Sequence, residues 1–416
     1  MQLMKLLLLS LTVVLFISSC TRTKVYQWRG ENRDGIYADK NLLKTWPEGG
    51  PLLIWETEEI GNGYVSPTVT DDALYITGEI DSMANLFKFN LEGKLIWKVA
   101  YDKEWVKSYP GARSNPTVVD DLVYVGSGMG NLFCISAETG KTLWSKKFND
   151  FQGEYPFHGH SEAPAIDEDK VFWTTGGPFY NVVALNRFTG ELLWSNEGFK
   201  ERSGYNNPLV ISLPQRKILA TFSAYHLMGF DTKTGKLLWS HEQTNTVSED
   251  RKSGIGDTHA NTVVFDNGAV YYAEGDGNRG VKLQLLEDGS EITQMWNNKD
   301  FDSFMGGIIK LGNNLYGCGI EKPRLVCVDS ESGEITDSLK LGSGSVIVAD
   351  DMLYYYNFKG QIHLVGLSGG KMNLVSSFKI TKGTREHFAH PVIHKGVLYI
   401  RHGKALMAFD IKNRKA

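Results

Sequence analysis

From residue 64 onward, apolar residues fall in short runs that repeat a fixed order. A brief apolar strand follows a proline, as in Ser66-Pro67-Thr68-Val69, Asn115-Pro116-Thr117-Val118, Ala163-Pro164-Ala165-Ile166, Asn207-Pro208-Leu209-Val210 and His390-Pro391-Val392-Ile393; proline suits the first residue of a strand. An Asp, Asn or Gly turn leads to a second strand such as Leu74-Tyr75-Ile76-Thr77, whose period-two pattern marks it as sheet. A third strand, for example Val182-Val183-Ala184-Leu185, runs into a glycine turn, and a fourth carries Trp97, Trp144, Trp194 or Trp239. The tryptophans are spaced by 47, 50 and 45 residues. That period is too short for a domain and fits one four-stranded blade, which buries both faces only when neighbours stack on it.

Seven units follow at about 64–99, 114–148, 161–197, 205–242, 258–298, 302–341 and 344–380. An eighth, at 387–411, has three strands and no Trp, whereas Leu52-Leu53-Ile54-Trp55-Glu56 is a fourth strand with nothing before it. Joining the two predicts an all-β, eight-bladed β-propeller over residues 52–411 whose last blade is closed by the N-terminal strand, which removes exposed sheet edges. The recurrent tryptophans then pack between blades. Trp28 and Trp46, outside the repeat, are expected to strap the 20–51 segment onto the propeller's flank.

Composition adds limits. The chain has 416 residues and a net charge of −4, with no basic tract to suit nucleic acid. Lys5 followed by the apolar run Leu6 to Ile17 reads as an export signal over residues 1–19, too short to span a bilayer. Cys134 and Cys327 share one repeat register and read as core. Cys318 and Cys327 flank a turn at Lys322-Pro323 that would bring the thiols face to face, either bonded or as two buried free thiols.

Leu15-Phe16-Ile17-Ser18-Ser19-Cys20 resembles a bacterial lipoprotein lipobox, which implies acylation of Cys20, membrane attachment through the lipid anchor and a place in the cell envelope. The blades, with Ala137-Glu138-Thr139-Gly140-Lys141-Thr142-Leu143-Trp144 nearest the pattern, resemble the pyrroloquinoline-quinone-like (quinoprotein-type) propeller repeats. Trp28-Arg29-Gly30-Glu31-Asn32-Arg33-Asp34-Gly35 is similar to a segment that opens exported propellers of Bacteroidetes and planctomycete-type bacteria. The repeat also resembles that of outer-membrane assembly lipoproteins built on an eight-bladed propeller, which the lipobox fits. In quinoproteins of this fold, the resemblance implies a quinone on a Trp floor with calcium held by Glu, Asn and Asp. This chain has no adjacent cysteine pair and no Cys-x-x-Cys-His haem motif. No cofactor and no metal are therefore expected, with pyrroloquinoline quinone and calcium as the alternative.

Loops from one blade's outer strand to the next blade's inner strand line a mouth of the central channel. They carry Tyr109, Arg113, His158, His160, Glu162, Asp257, His259, Arg385, His387 and His390, and five of the ten histidines fall among them. Imidazole, phenol and guanidinium groups gathered at a channel mouth suit ligand binding, proton transfer or metal binding. Their residue types also resemble those of propeller-type polysaccharide lyases. Two functions are expected: a lipid-anchored binding or scaffold protein taking a carbohydrate or an envelope protein at the mouth, or a sugar- or alcohol-active enzyme, quinone-dependent or lyase-like.

Overall fold

The computed structural model describes residues 24–244, 259–275 and 277–414. The leader, Cys20 and Asp257 lie outside the described residues. Eight antiparallel sheets form the ring. Blade 1 runs from Thr68–Val69 to Leu95–Lys103, and blades 2 to 7 begin at Thr117–Val119, Ala165–Asp167, Leu209–Ser212, Val264–Asp266, Ile308–Leu311 and Gly344–Ala349. Blade 8 consists of Val392–His394, Val397–His402, Ala405–Asp410 and the early strand Leu52–Thr57, with Trp55 opposite Ala408. The closure predicted from the orphan strand is present. Among the described residues no helix is long and apolar enough to cross a membrane.

The glycine and the tryptophan of each repeat explain one another. Gly140, Gly190 and Gly235 have φ of 70°, 73° and 73°, in the left-handed region that favours glycine. A Cβ added at each would stand 3.1, 3.0 and 2.6 Å from Trp97, Trp144 and Trp194 of the preceding blade. Each indole N–H then donates to a carbonyl of that next blade: Trp97 to Ala137 O, Trp144 to Arg187 O and Trp194 to Thr232 O. Trp55 continues the series across the seam, lying against Gly93 and donating to Leu91 O at 2.9 Å. Trp239 is buried between blades 4 and 5, but its indole nitrogen has no hydrogen-bond partner.

Cys318 and Cys327 do lie on the two strands of one hairpin, Asn314–Gly319 and Arg324–Asp329, but Cys318 faces Leu325 and Cys327 faces Tyr316. The register is two residues away from placing the thiols opposite. Cys134, Cys318 and Cys327 are buried free thiols.

The expectation for Trp28 needs correction. The segment from Lys24 to Tyr37 lies inside the channel rather than on the flank. Val25–Tyr26 pairs antiparallel with the inner strand of blade 2, and Ile36–Tyr37 pairs parallel with that of blade 7. Both legs leave on the face that carries the turns between first and second strands, where Tyr26 meets Asp71 and Gly396 N donates to Asp39. The tip, Trp28 and Arg29, reaches the opposite end. Trp46 does pack on the outside, against Tyr354 and Phe378 of blade 7.

Two guanidinium groups fix this hairpin. Arg29 donates to the carbonyls of Gly306, Val346, Asp34 and Ile308 and to Nδ1 of His390. Arg33 donates to Gln27 Oε1 and to the carbonyls of Ala163, Pro164 and Pro208. Each is 1% exposed, and burial lowers each pKa to about 10, so both stay cationic in neutral solution. Carbonyl oxygens of blades 3, 4, 6 and 7 converge on the channel, and buried oxygens need donors. The arginines supply them. Gly35 and Gly307 leave room for Arg29: a Cβ at either would come within 2.6 and 1.9 Å of its guanidinium.

Candidate functional site

The hairpin tip floors a cavity of about 210 Å³ that opens on the face of the long inter-blade loops. Its lining includes Trp28, Tyr64, Tyr109, Tyr205, Phe304 and Phe388, together with Asn115, Asn207, Arg113, His158 and His390. The rings interlock: Tyr64 meets Tyr109 and Phe388 with centroids at 6.4 and 5.7 Å, and Tyr109 meets His158 at 5.2 Å. A second cavity of about 310 Å³ lies beside the hairpin, against the inner strands of blades 3 to 5.

The structure brings together Tyr109, Arg113, His158 and His390 from the sequence-derived set. Arg113 is committed to the loop it sits in. Its Nη2 donates to Tyr109 O at 2.6 Å and also to Gly111, Ser108 and Trp105 O, and its Nη1 donates to His158 O. His390 donates from Nε2 to Met305 O at 2.7 Å and accepts from Arg29 at Nδ1. Burial and the adjacent Arg29 cation push its pKa down to about 3, so it is neutral. His158 meets Ser108 Oγ at 2.9 Å, and its backbone N–H donates to Tyr205 OH.

The remaining candidates stand elsewhere. His160 is 1% exposed behind the mouth, donating to Thr174 O with its ring against Phe148; burial lowers its pKa to about 4. Glu162 accepts from Thr174 N at 3.0 Å, and burial raises its pKa to about 7. His259 meets Gln243 O and packs on Phe222. His387 bonds Tyr356 OH and stacks on His402 at 3.6 Å, while Arg385 presents its carbonyl to His402. Trp28, Tyr64, Asn115, Tyr205, Asn207, Phe304 and Phe388 were not among the site candidates drawn from sequence. For Tyr64, Tyr205, Phe304 and Phe388 the signal is an aromatic residue on the loop just ahead of an inner strand, and for Asn115 and Asn207 it is the repeated Asn-Pro that opens blades 2 and 4.

A quinone with calcium does not fit the described lining. The guanidinium N–H groups that would meet its carboxylates are spent on backbone carbonyls, and no lining residue is a carboxylate. Among the described residues no group of three or more His, Cys, Asp or Glu side chains could hold a metal ion. Hard cations require several convergent oxygens.

Fold and site together define a pyrroloquinoline-quinone-like β-propeller whose channel is filled by its own N-terminal segment. A family model described as outer membrane protein assembly factor BamB matches residues 78–338, more than half of the chain, and the chain belongs to that family. It is 22% identical over 312 residues to outer membrane protein assembly factor BamB of Shewanella oneidensis, covering 72% of this chain and 70% of that one. It is 28% identical over 148 residues to the quinoprotein alcohol dehydrogenase PedH of Pseudomonas putida, covering 33% of this chain. The chain spans only 24% of that dehydrogenase's length. Among solved structures, BamB from Moraxella catarrhalis superposes with a TM-score of 0.63 at 13% identity, over 88% of this chain and 99% of that one. A europium-containing methanol dehydrogenase gives 0.65 at 11%, over 91% and 90%. These two likenesses concern the fold.

Proposed function

We propose that this chain is an exported binding or scaffold protein of the cell envelope, held by a lipid on Cys20, that takes a carbohydrate or an envelope protein at its channel mouth. One observation carries the reading: the mouth is a blind, ring-walled pocket in which Arg113 and His390 are already bound to the fold. Such a site offers shape and apolar surface, with its guanidinium and one of its imidazoles already engaged. The relatives named as outer membrane protein assembly factors favour an envelope partner. Lys24, bonded to Asp71, lies on the face opposite the mouth.

A bulky thiol-reactive label tests it. Tyr109→Cys stands at the mouth and Leu193→Cys on the outer strand of blade 3, and both native positions are exposed. Labelling position 109 should abolish binding to isolated envelope polysaccharide or solubilised outer-membrane proteins, whereas labelling 193 should not. Equal binding by both labelled forms refutes a mouth site.

A further inference from the structure

We propose that the mouth pocket is a subsite for one neutral pyranose ring of a glycan; this deepens the binding reading above and rests on it. Three features of the lining choose the ligand.

The first is size. At about 210 Å³ the cavity is smaller than the roughly 300–1,000 Å³ of drug-sized sites, so it takes one ring rather than a chain. It opens outward, which lets the rest of a glycan extend into solvent.

The second is a pair of side-chain amides at the base of the cavity, on Asn115 and Asn207, which are 5% and 7% exposed. Asn115 donates from Nδ2 to Ser66 O at 2.7 Å, and Asn207 accepts at Oδ1 from Ala163 N at 2.5 Å. Among the described residues Asn115 Oδ1 and Asn207 Nδ2 make no hydrogen bond, and neither is sealed from solvent, so both are open to a ligand in the cavity. The lining therefore offers one acceptor and one donor to the hydroxyls of a bound ring. Asn261, by contrast, spends Nδ2 on Ala273 and Ser303 and Oδ1 on Gly307.

The third is charge. Arg113 has its N–H groups on carbonyls, His390 is held neutral, and Glu386 accepts from the lining Tyr64 OH at 3.0 Å. An ammonium would be desolvated beside the Arg113 cation, and a carboxylate or phosphate would meet that cation with its N–H groups already spent on carbonyls, so either is costly to bury. The aromatic walls suit the C–H face of a sugar. A phenylalanine side chain would fill the walls but leave both amide groups unmet, and a tyrosine offers them a single hydroxyl where a pyranose offers several.

The test uses the full exported chain in a thermal-shift and saturation-transfer NMR panel. The panel contains methyl glucoside, galactoside and mannoside, the charged analogues glucuronate and glucosamine, and N-acetyltyrosinamide. At least one neutral glycoside should bind saturably, charged analogues should bind at least about tenfold more weakly, and Asn207→Asp and Tyr109→Ala should each weaken the glycoside by about tenfold or more. Tyr109 is 48% exposed, so its truncation leaves the fold intact. Preferred binding of a charged sugar, binding of N-acetyltyrosinamide alone, or no glycoside binding overturns the proposal. If glycosides fail while a label at 109 still blocks envelope binding, the sugar assignment is wrong and the mouth reading stands; if the label has no effect, the mouth reading fails as well.

Discussion

Truncating Arg33 to alanine removes a guanidinium that ties the hairpin to blades 3 and 4. Its three carbonyl acceptors, on Ala163, Pro164 and Pro208, lie at 3.1, 2.6 and 3.0 Å. An unmet buried acceptor costs about 1–3 kcal/mol. Arg33 borders the cavity beside the hairpin, which admits water to part of the vacated space, so the lower end of that range applies. The sum is about 3 kcal/mol. Unfolding entropy near 2.1 cal/mol/K per residue gives about 0.9 kcal/mol/K for the 416-residue chain, so Tm should fall by about 3–4 °C. Calorimetry of the purified chain reads this directly. Arg33→Lys, which keeps the charge but loses the planar fork, should fall between wild type and alanine. A Tm for Arg33→Ala within 1 °C of wild type would show that the hairpin bears no load and refute the reasoning.

Gly35→Ala should destabilise by about 2 kcal/mol or more, because φ is 75° and the new methyl meets the Arg29 guanidinium; chemical denaturation measures the loss. Trp55→Ala should cost about 3–5 kcal/mol and loosen the seam between blades 8 and 1, seen as faster proteolysis within residues 52–57. Stability should decline on both sides of a pH optimum. Buried His160 and His390 have folded pKa values near 4 and 3, below the unfolded value, so they contribute stability that is lost as pH falls from about 6.5 toward 4. Buried Glu104 and Glu162, raised to about 7, contribute stability below about 4.5 that is lost as pH rises through 7. Glu162→Gln should therefore raise Tm at pH 8 and change it little at pH 4; an equal shift at both would contradict the assignment.

The blades and their closure were legible because one period carried them. Glycine and tryptophan recur together since each blade's indole occupies the space a Cβ would need in the next, and Trp55 stood out as a strand with no blade. The hairpin was not legible. Arg29 and Arg33 carry no repeat, and their partners are carbonyls up to 317 residues away that no side-chain pattern records. The histidines misled by depth rather than by location in the chain. His158 faces the mouth, whereas His160, two residues on, turns to Thr174 and Phe148. For Cys318 and Cys327 the reading as two buried free thiols holds, and only the face-to-face placement fails, by register, since Cys318 opposes Leu325.

Hydrogen exchange read by mass spectrometry on the intact chain tests the central claim, that the N-terminal segment fills the channel and floors the mouth. Amides of Val25, Tyr26, Ile36 and Tyr37, paired with the inner strands of blades 2 and 7, should exchange as slowly as those strands do. Exchange of residues 25–37 within seconds, while the blades stay protected, would contradict it.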